Sequence, residues 1–323
     1  MRAVVCHQLG PVEDLTIEER DELEAGPGRV VVDVRAAGVN YVDALFVQGD
    51  YQIKPATPFT PGGEVGGEVS AVGEGVEGVH VGDRVIANVW LGGFASQVEA
   101  RPDQLLFIPE SMSFASAAAF TQSYATALFS LDRRAGLQPG EWLLVLGAAG
   151  GVGRACIDVG KALGARVIAA ASSPERLELC RAAGADALID YSTHDLKTRA
   201  KELTGGGVDV VADPVGGDKA EPAIRALGED GRFLVIGFAG GAIPRIPLNL
   251  VLLRNRRLVG VDWGAWMMAH PDEQHQLMTD LLDLVRQDRL HPPEPTAYAL
   301  DEVVDALHAL QERRVAGKIV LTP

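Results

Sequence analysis

The seven residues Gly147-Ala148-Ala149-Gly150-Gly151-Val152-Gly153 constrain the fold of this chain more than any other segment. They follow Trp142-Leu143-Leu144-Val145-Leu146, a continuous apolar run of the kind that forms a parallel strand covered on both faces. They lead into Val152 to Leu163, where apolar residues recur at helical spacing up to Gly164, a residue suited to ending a helix. Read as Ala148-x-Gly150-x-x-Gly153, the loop is a variant of the dinucleotide fingerprint. Its central glycine lets the backbone approach a pyrophosphate, and the helix N-terminus faces that charge. In a chain with 37 glycines the bare spacing is weak evidence, and the strand and helix around it supply the weight. The expected phosphate contacts are Ala148, Gly150, Gly151, Val152 and Gly153.

The next strand, Arg166 to Ala171, ends in Ser172-Ser173-Pro174-Glu175-Arg176. A carboxylate at such a tip binds the ribose 2′-hydroxyl of NAD, whereas hydroxyls and a guanidinium suit a 2′-phosphate. Ser172, Ser173 and Arg176 therefore predict NADPH over NADH, with Glu175 close by counting against. The same residues also read as an ordinary helix start, with Ser173 as N-cap and Pro174 in the first turn.

A chain of 323 residues is long enough for two domains with full cores. Its 47% hydrophobic and 23% charged content is that of a globular protein. A net charge of −15 argues against nucleic acid as a partner, because a phosphate backbone needs clustered Lys and Arg. The strand-like start Met1 to Cys6 shows no secretory leader, and no apolar stretch approaches membrane-spanning length, so the expected compartment is the cytoplasm. Cys6, Cys156 and Cys180 lack disulfide or zinc-site spacing and are expected as small core residues.

Short strands between glycine and proline turns fill residues 1 to about 120, including valine and glycine alternation over Gly62 to Gly73 that suits a small, partly closed barrel. From 123 to 262 strands alternate with helices, and six strands predict a doubly wound parallel sheet of Rossmann type. The expected division is a β-rich domain of residues 1–122 plus 263–323, with a cofactor-binding domain of residues 123–262. A cleft between the two is the default ligand site. Loops at Gly216-Gly217 and Gly237 to Gly241 follow strand C-termini, the ligand edge of such sheets, although turn chemistry alone also explains the first.

With these pieces in place, the chain resembles the zinc-free branch of the medium-chain dehydrogenase/reductase superfamily, the NADPH:quinone oxidoreductases similar to zeta-crystallin. The matching segments are Ala37 to Asp43, Pro61 to Gly73, Val81-Gly82-Asp83-Arg84-Val85, Gly147 to Gly153, Gly184-Ala185-Asp186 and the closing Ala316-Gly317-Lys318-Ile319-Val320-Leu321. They run from end to end of the chain, and their order is more specific than any single piece. The resemblance implies a GroES-like barrel for the β-rich domain. The zinc-dependent branch has a cysteine where this chain has Asn40 and a histidine where it has Gly63. Glu64 alone cannot supply a catalytic zinc site, so no metal is expected.

The resemblance further implies that Asn40 borders the nicotinamide and acceptor, and that Tyr51 lies at the acceptor pocket, as a donor to the developing oxyanion or as a packing aromatic. Ser123 is implied near the nicotinamide carboxamide, Tyr191 at the adenosine end and Phe238 beside the cofactor after the fifth strand. Trp263 and Trp266 are placed at the return to the first domain, as pocket lining or as packing. Lys318 belongs to the closing signature with no role assigned. The implied activity is hydride transfer from NADPH to a quinone or conjugated carbonyl. The alternatives are an enoyl or alkenal reductase acting on an α,β-unsaturated carbonyl or acyl thioester, or a non-catalytic NADPH-binding protein. Arg254, Arg256 and Arg257 offer either a patch for a phosphorylated carrier or solvated surface charge. Relatives are commonly dimers, and Leu258 to Val261 is the candidate edge for a homodimer.

Overall fold

The computed structural model describes residues 1–312 and 314–323, which divide into two units, Met1–Gln122 with Pro293–Pro323 and Ser123–Pro292. The first unit begins with β1 (Arg2–Val5) and β2 (Thr16–Glu19), an antiparallel pair. Next come β3 (Val30–Val39), α1 (Tyr41–Gln48), β4 (Glu64–Val72), β5 (Arg84–Asn88), β6 (Gln97–Ala100), β7 (Leu105–Phe107) and α2 (Phe114–Ala118). The long β3 organises the unit: its first half pairs with both β4 and β6, and two register shifts against β4 bend it. Its inward valines pack with Val4, Val65, Val85, Phe94 and Leu105 in one core.

The chain crosses to the second unit within α3 (Thr121–Leu128). There β8 (Trp142–Val145), α4 (Gly151–Ala162), β9 (Arg166–Ala171), α5 (Pro174–Ala182), β10 (Ala187–Asp190), α6 (Leu196–Thr204), β11 (Val208–Asp213), α7 (Ala220–Ala226), β12 (Leu227–Val235), α8 (Asn249–Leu252) and β13 (Arg257–Gly260) follow in turn. The six strands are parallel, in the order β10-β9-β8-β11-β12-β13. The order reverses beside β8, the place where doubly wound sheets bind ligands. Leu144, Ile168, Val211 and Leu234 are fully buried, which explains why these strands read as unbroken apolar runs.

Two helices, α9 (Trp263–Ala269) and α10 (Pro271–Arg286), complete the second unit. The sequence suggested a return to the first unit at 263, whereas the chain crosses back at Pro292. Contacts with earlier residues of the unit hold this segment: Trp266 packs on Phe129 with ring centroids 4.7 Å apart, Arg133 pairs with Glu273, and Arg289 donates to the Ala162 carbonyl at 2.7 Å. A carboxylate on α4 fixes both ends of the unit. Asp158 Oδ2 accepts from the Tyr124 hydroxyl at 2.8 Å and from the His291 backbone N–H at 2.7 Å.

The last residues return to the first unit as β14 (Thr296–Ala299), α11 (Val303–Gln311) and β15 (Ile319–Thr322). β15 joins the sheet antiparallel to β3, with Ile319 opposite Val39, giving the order β14-β15-β3-β4-β5-β7 with β6 also on β3. All three cysteines are buried free thiols, and burial pushes that of Cys156 up to about 12, as befits inert core residues.

Candidate active site

In the second unit, α4 starts at Gly151 with Gly150 as its N-cap. The loop closes through Gly150 N–H donating to the Gly147 carbonyl at 2.9 Å and Ala148 N–H donating to Ala170 at 3.1 Å. The glycines of the fingerprint differ in what the fold asks of them. A Cβ on Gly153 would lie 2.4 Å from the Gly147 oxygen and 2.8 Å from Ala148 Cα, so helix and loop meet there too closely for any side chain. Gly150 is exposed and has an ordinary φ of −77°, and its Cβ would lie 3.3 Å from the Gly147 oxygen. The fold requires little at position 150. Glycine there leaves space on the outer face, where the first N–H groups of α4 have no intrahelical acceptor. Gly151 and Val152 are half-buried, and Ala148 is buried.

At the tip of β9, Ser172 is exposed, and Ser173 Oγ accepts from the Arg176 N–H at 3.4 Å, so Ser173 does serve as the N-cap of α5. Tyr191 N–H donates to the Ala171 carbonyl at 3.1 Å, which places this tyrosine beside the tip. The Lys219 ammonium lies 5.5 Å from the centroid of the Tyr191 ring, a cation at this corner that the sequence did not suggest. Asp190 stands opposite Ala171, and hydrogen bonds from Ser192 hold its carboxyl below the usual range. The corner thus carries hydroxyls and cations together with Glu175 and Asp190.

Along the C-terminal edge of β12 and β13 an open cleft of about 500 Å³ is lined by Phe129, Arg134, Phe238, Val261, Asp262 and Trp266 among others. This contains Phe238, expected beside the cofactor, and Trp266. Trp263 instead donates its indole N–H to Gln274 at 2.8 Å and serves as packing. The buried Asp213 orders the neighbouring loop by accepting from Val215 N–H and Gly216 N–H, each at 2.8 Å. A Cβ on Gly216 would approach Phe238 Cδ1 to 2.8 Å, so close packing accounts for that glycine. Ser123 is buried on α3. Arg256 is no surface charge: it is buried, and its guanidinium donates to the carbonyls of Leu250 at 3.1 Å and Leu227 at 2.9 Å.

The first unit supplies a second group of polar residues, all of them largely buried. Asn40 sits at the N-terminus of α1, where its own N–H donates to Asp43 Oδ2 at 2.7 Å. Its side-chain oxygen accepts from the ammonium of Lys318. That ammonium also lies 3.4 Å from Glu64 Oε1, while Glu64 Oε2 accepts from Gln122 N–H at 2.9 Å. Asp43 is 1% exposed. Burial pushes its carboxyl up to about 7, Glu64 pushes the same way, and the Asn40 N–H bond and the Lys318 charge oppose them. Tyr51 follows the other end of α1 and stacks edge-on with Phe46 at 5.0 Å, and Phe46 in turn packs with Trp90 at 5.9 Å. Sequence reasoning had named Asn40 and Tyr51 but not the partners of Asn40. Lys318 lies 278 positions away, and nothing local signals its contact. Among the described residues no three His, Cys, Asp or Glu side chains group so as to hold a metal.

Residues 26–127 match the alcohol dehydrogenase GroES-like domain family, and residues 151–283 match the zinc-binding dehydrogenase family. The chain is 40% identical to quinone oxidoreductase-like protein 2 of Bos taurus over 99% of its own length and 92% of the relative's. It superposes on the Escherichia coli quinone oxidoreductase complexed with NADPH with a TM-score of 0.89 at 28% identity, covering all of both chains. The CurK enoyl reductase aligns with a TM-score of 0.88 at 27% identity, over 99% of this chain and 98% of that one.

Proposed function

Because the chain belongs to the medium-chain dehydrogenase/reductase family, in its quinone oxidoreductase branch, we propose that it is an NADPH-dependent reductase of quinones or related conjugated carbonyls that works without zinc. The observation that carries this reading is position 150, where glycine opens the outer face of the loop at the head of α4 although the fold itself asks little there. Bound NADPH supplies the hydride. The first turn of α4 holds the diphosphate, Ser172, Ser173 and Arg176 hold the 2′-phosphate, and Tyr191 borders the adenosine end. Ser123 and Phe238 flank the nicotinamide in this reading. Asn40 donates its amide N–H to the acceptor oxygen, stabilising the charge that develops there, and Tyr51 packs against the acceptor or adds a second donor.

The zinc-free part of the proposal is supported by the side chains around Asn40. The Lys318 ammonium already compensates the Glu64 carboxylate and occupies the Asn40 oxygen, the donors that a metal would need. Activity is expected to survive exhaustive chelation. We infer a homodimer through β13, an edge strand near which Leu252, Leu253 and Leu258 stand exposed, to be checked by light scattering after size exclusion. A cytoplasmic location fits the free thiols; among the described residues no helix is long and apolar enough to cross a membrane.

The likeness to an enoyl reductase favours a second reading, reduction of an activated alkene. NADPH oxidation with an ortho-quinone, a simple enone and an acyl thioester, with NADH as control donor, separates the two. A quinone-dominated, NADPH-specific rate supports the first reading. Turnover only with the enone or thioester moves the assignment to alkene reduction, and NADPH binding without any turnover indicates a non-catalytic protein.

A further inference from the structure

We propose that Lys318 is a positioning residue whose ammonium captures the carboxamide oxygen of Asn40 and thereby turns the amide N–H groups of Asn40 toward the acceptor. The inference rests on the placement of Asn40 at the acceptor proposed above. Its basis is the register of the sheet. Ile319 pairs with Val39 and Val320 with Gly38, so Lys318 and Asn40 face each other where β15 and β3 run out. Glu64, the first residue of β4, lies on the other side of β3, where Val65 pairs with Ala37. Three adjacent strands thus deliver an amide, an ammonium and a carboxylate to one end of the sheet. Gly38 leaves room for the carboxylate, since a Cβ there would lie 2.6 Å from Glu64 Oε1.

The chemistry of the three groups fixes how they can meet. An ammonium only donates, whereas a carboxamide has one accepting and one donating end. Facing Lys318, the amide of Asn40 must present its oxygen, because the reversed amide would set N–H groups against an ammonium. The donating end then points away from Lys318. Without the lysine, rotation about the terminal side-chain bond is broad and two-fold, and either end can be presented. The side chains of Lys318 and Glu64 are 12% and 4% exposed, so neither is chiefly solvated by water. Glu64, 3.4 Å away, supplies the opposite charge that the largely buried ammonium faces. Asp43 takes the backbone N–H of Asn40, which fixes the residue from the main-chain side while Lys318 fixes its side chain. A donor held in place before the acceptor arrives costs no reorganisation when charge develops.

The test is a double-mutant cycle combined with a spectroscopic readout that needs no turnover. Lys318→Met should lower kcat by about ten- to a hundredfold while NADPH affinity stays unchanged, and Lys318→Arg, which can donate to the same oxygen, should restore most of the rate. In an Asn40→Ala background Lys318→Met should cost nothing more. The side-chain amide signal of Asn40 in ¹⁵N spectra, assigned through Asn40→Asp, should shift or broaden in Lys318→Met and return in Lys318→Arg. An unchanged Asn40 signal, or an equal loss of rate in the Asn40→Ala background, would overturn the proposal. If Lys318→Met does not fold, Lys318→Arg, which like lysine only donates, must keep the Asn40 signal, and its loss in that folded variant counts equally against the idea. A wild-type protein that reduces no quinone, enone or thioester defeats the proposed function, while the amide signal still reports on Lys318.

Discussion

Replacing Asp43 by asparagine should make the stability of the protein less sensitive to pH. The Asp43 carboxyl is 1% exposed, and burial raises it from its ordinary value of 3.8 to about 7 against the pull of Lys318 and of the Asn40 N–H. The folded protein therefore holds this proton more tightly than the unfolded chain does. The stability that follows is fully present below about pH 4 and is lost as pH rises through 7. The full span is about 4 kcal/mol, of which about 2.6 kcal/mol falls between pH 5 and pH 8. Asparagine keeps an oxygen for the Asn40 N–H and carries no charge at either pH. Urea unfolding of wild type and Asp43→Asn at the two pH values should show the wild type losing roughly 2 to 3 kcal/mol relative to the variant on going from pH 5 to pH 8. Parallel pH profiles would refute the reasoning. They would mean that Asp43 is ionised throughout, with the lysine prevailing over burial.

Gly150→Leu should abolish NADPH binding, read by fluorescence titration, with a melting temperature close to wild type, whereas Gly153→Val should unfold the second unit because its Cβ would meet the Gly147 oxygen at 2.4 Å. Retained NADPH affinity in the folded Gly150→Leu protein would remove the basis of the cofactor assignment. Ser172→Asp adds a third carboxylate to the corner of Glu175 and Asp190 and should weaken NADPH by about tenfold or more while leaving NADH little changed; equal losses would place the 2′-phosphate elsewhere. Asp158→Ala deletes the acceptor of two hydrogen bonds and should cost roughly 2 to 4 kcal/mol in a denaturant titration.

The cofactor-binding sheet was legible in the sequence because its inner strands β8, β9 and β11 are buried on both faces and the turns beside them carry local punctuation. Trp142 to Leu146, the glycine loop and Ser173 as N-cap each follow from neighbouring residues alone. The segment from 263 to 292 was read into the wrong unit. Periodicity marks a helix near Glu273 to Gln287, but which unit it covers depends on Phe129, Arg133 and Ala162, more than a hundred residues earlier. Arg256 looked like part of a surface run, and only the fold shows that carbonyls of Leu250 and Leu227 receive its guanidinium. Asn40 was visible through its resemblance to a family position, whereas its bond to Lys318 depends on strand register, which no local pattern encodes.

The attachment of Tyr124 and His291 to the single carboxylate of Asp158 bears on how such a chain can be assembled. Residues 123–292 enter and leave at neighbouring points, as an insert does when it is spliced into the loop of a host. A module whose termini are clasped together can be exchanged for another of its kind, or given new ends elsewhere on its surface, without stretching the host across a gap. Transplanting 123–292 as one cassette, with Asp158 retained, is thus a natural route to chimaeras that pair this cofactor unit with the substrate unit of a relative.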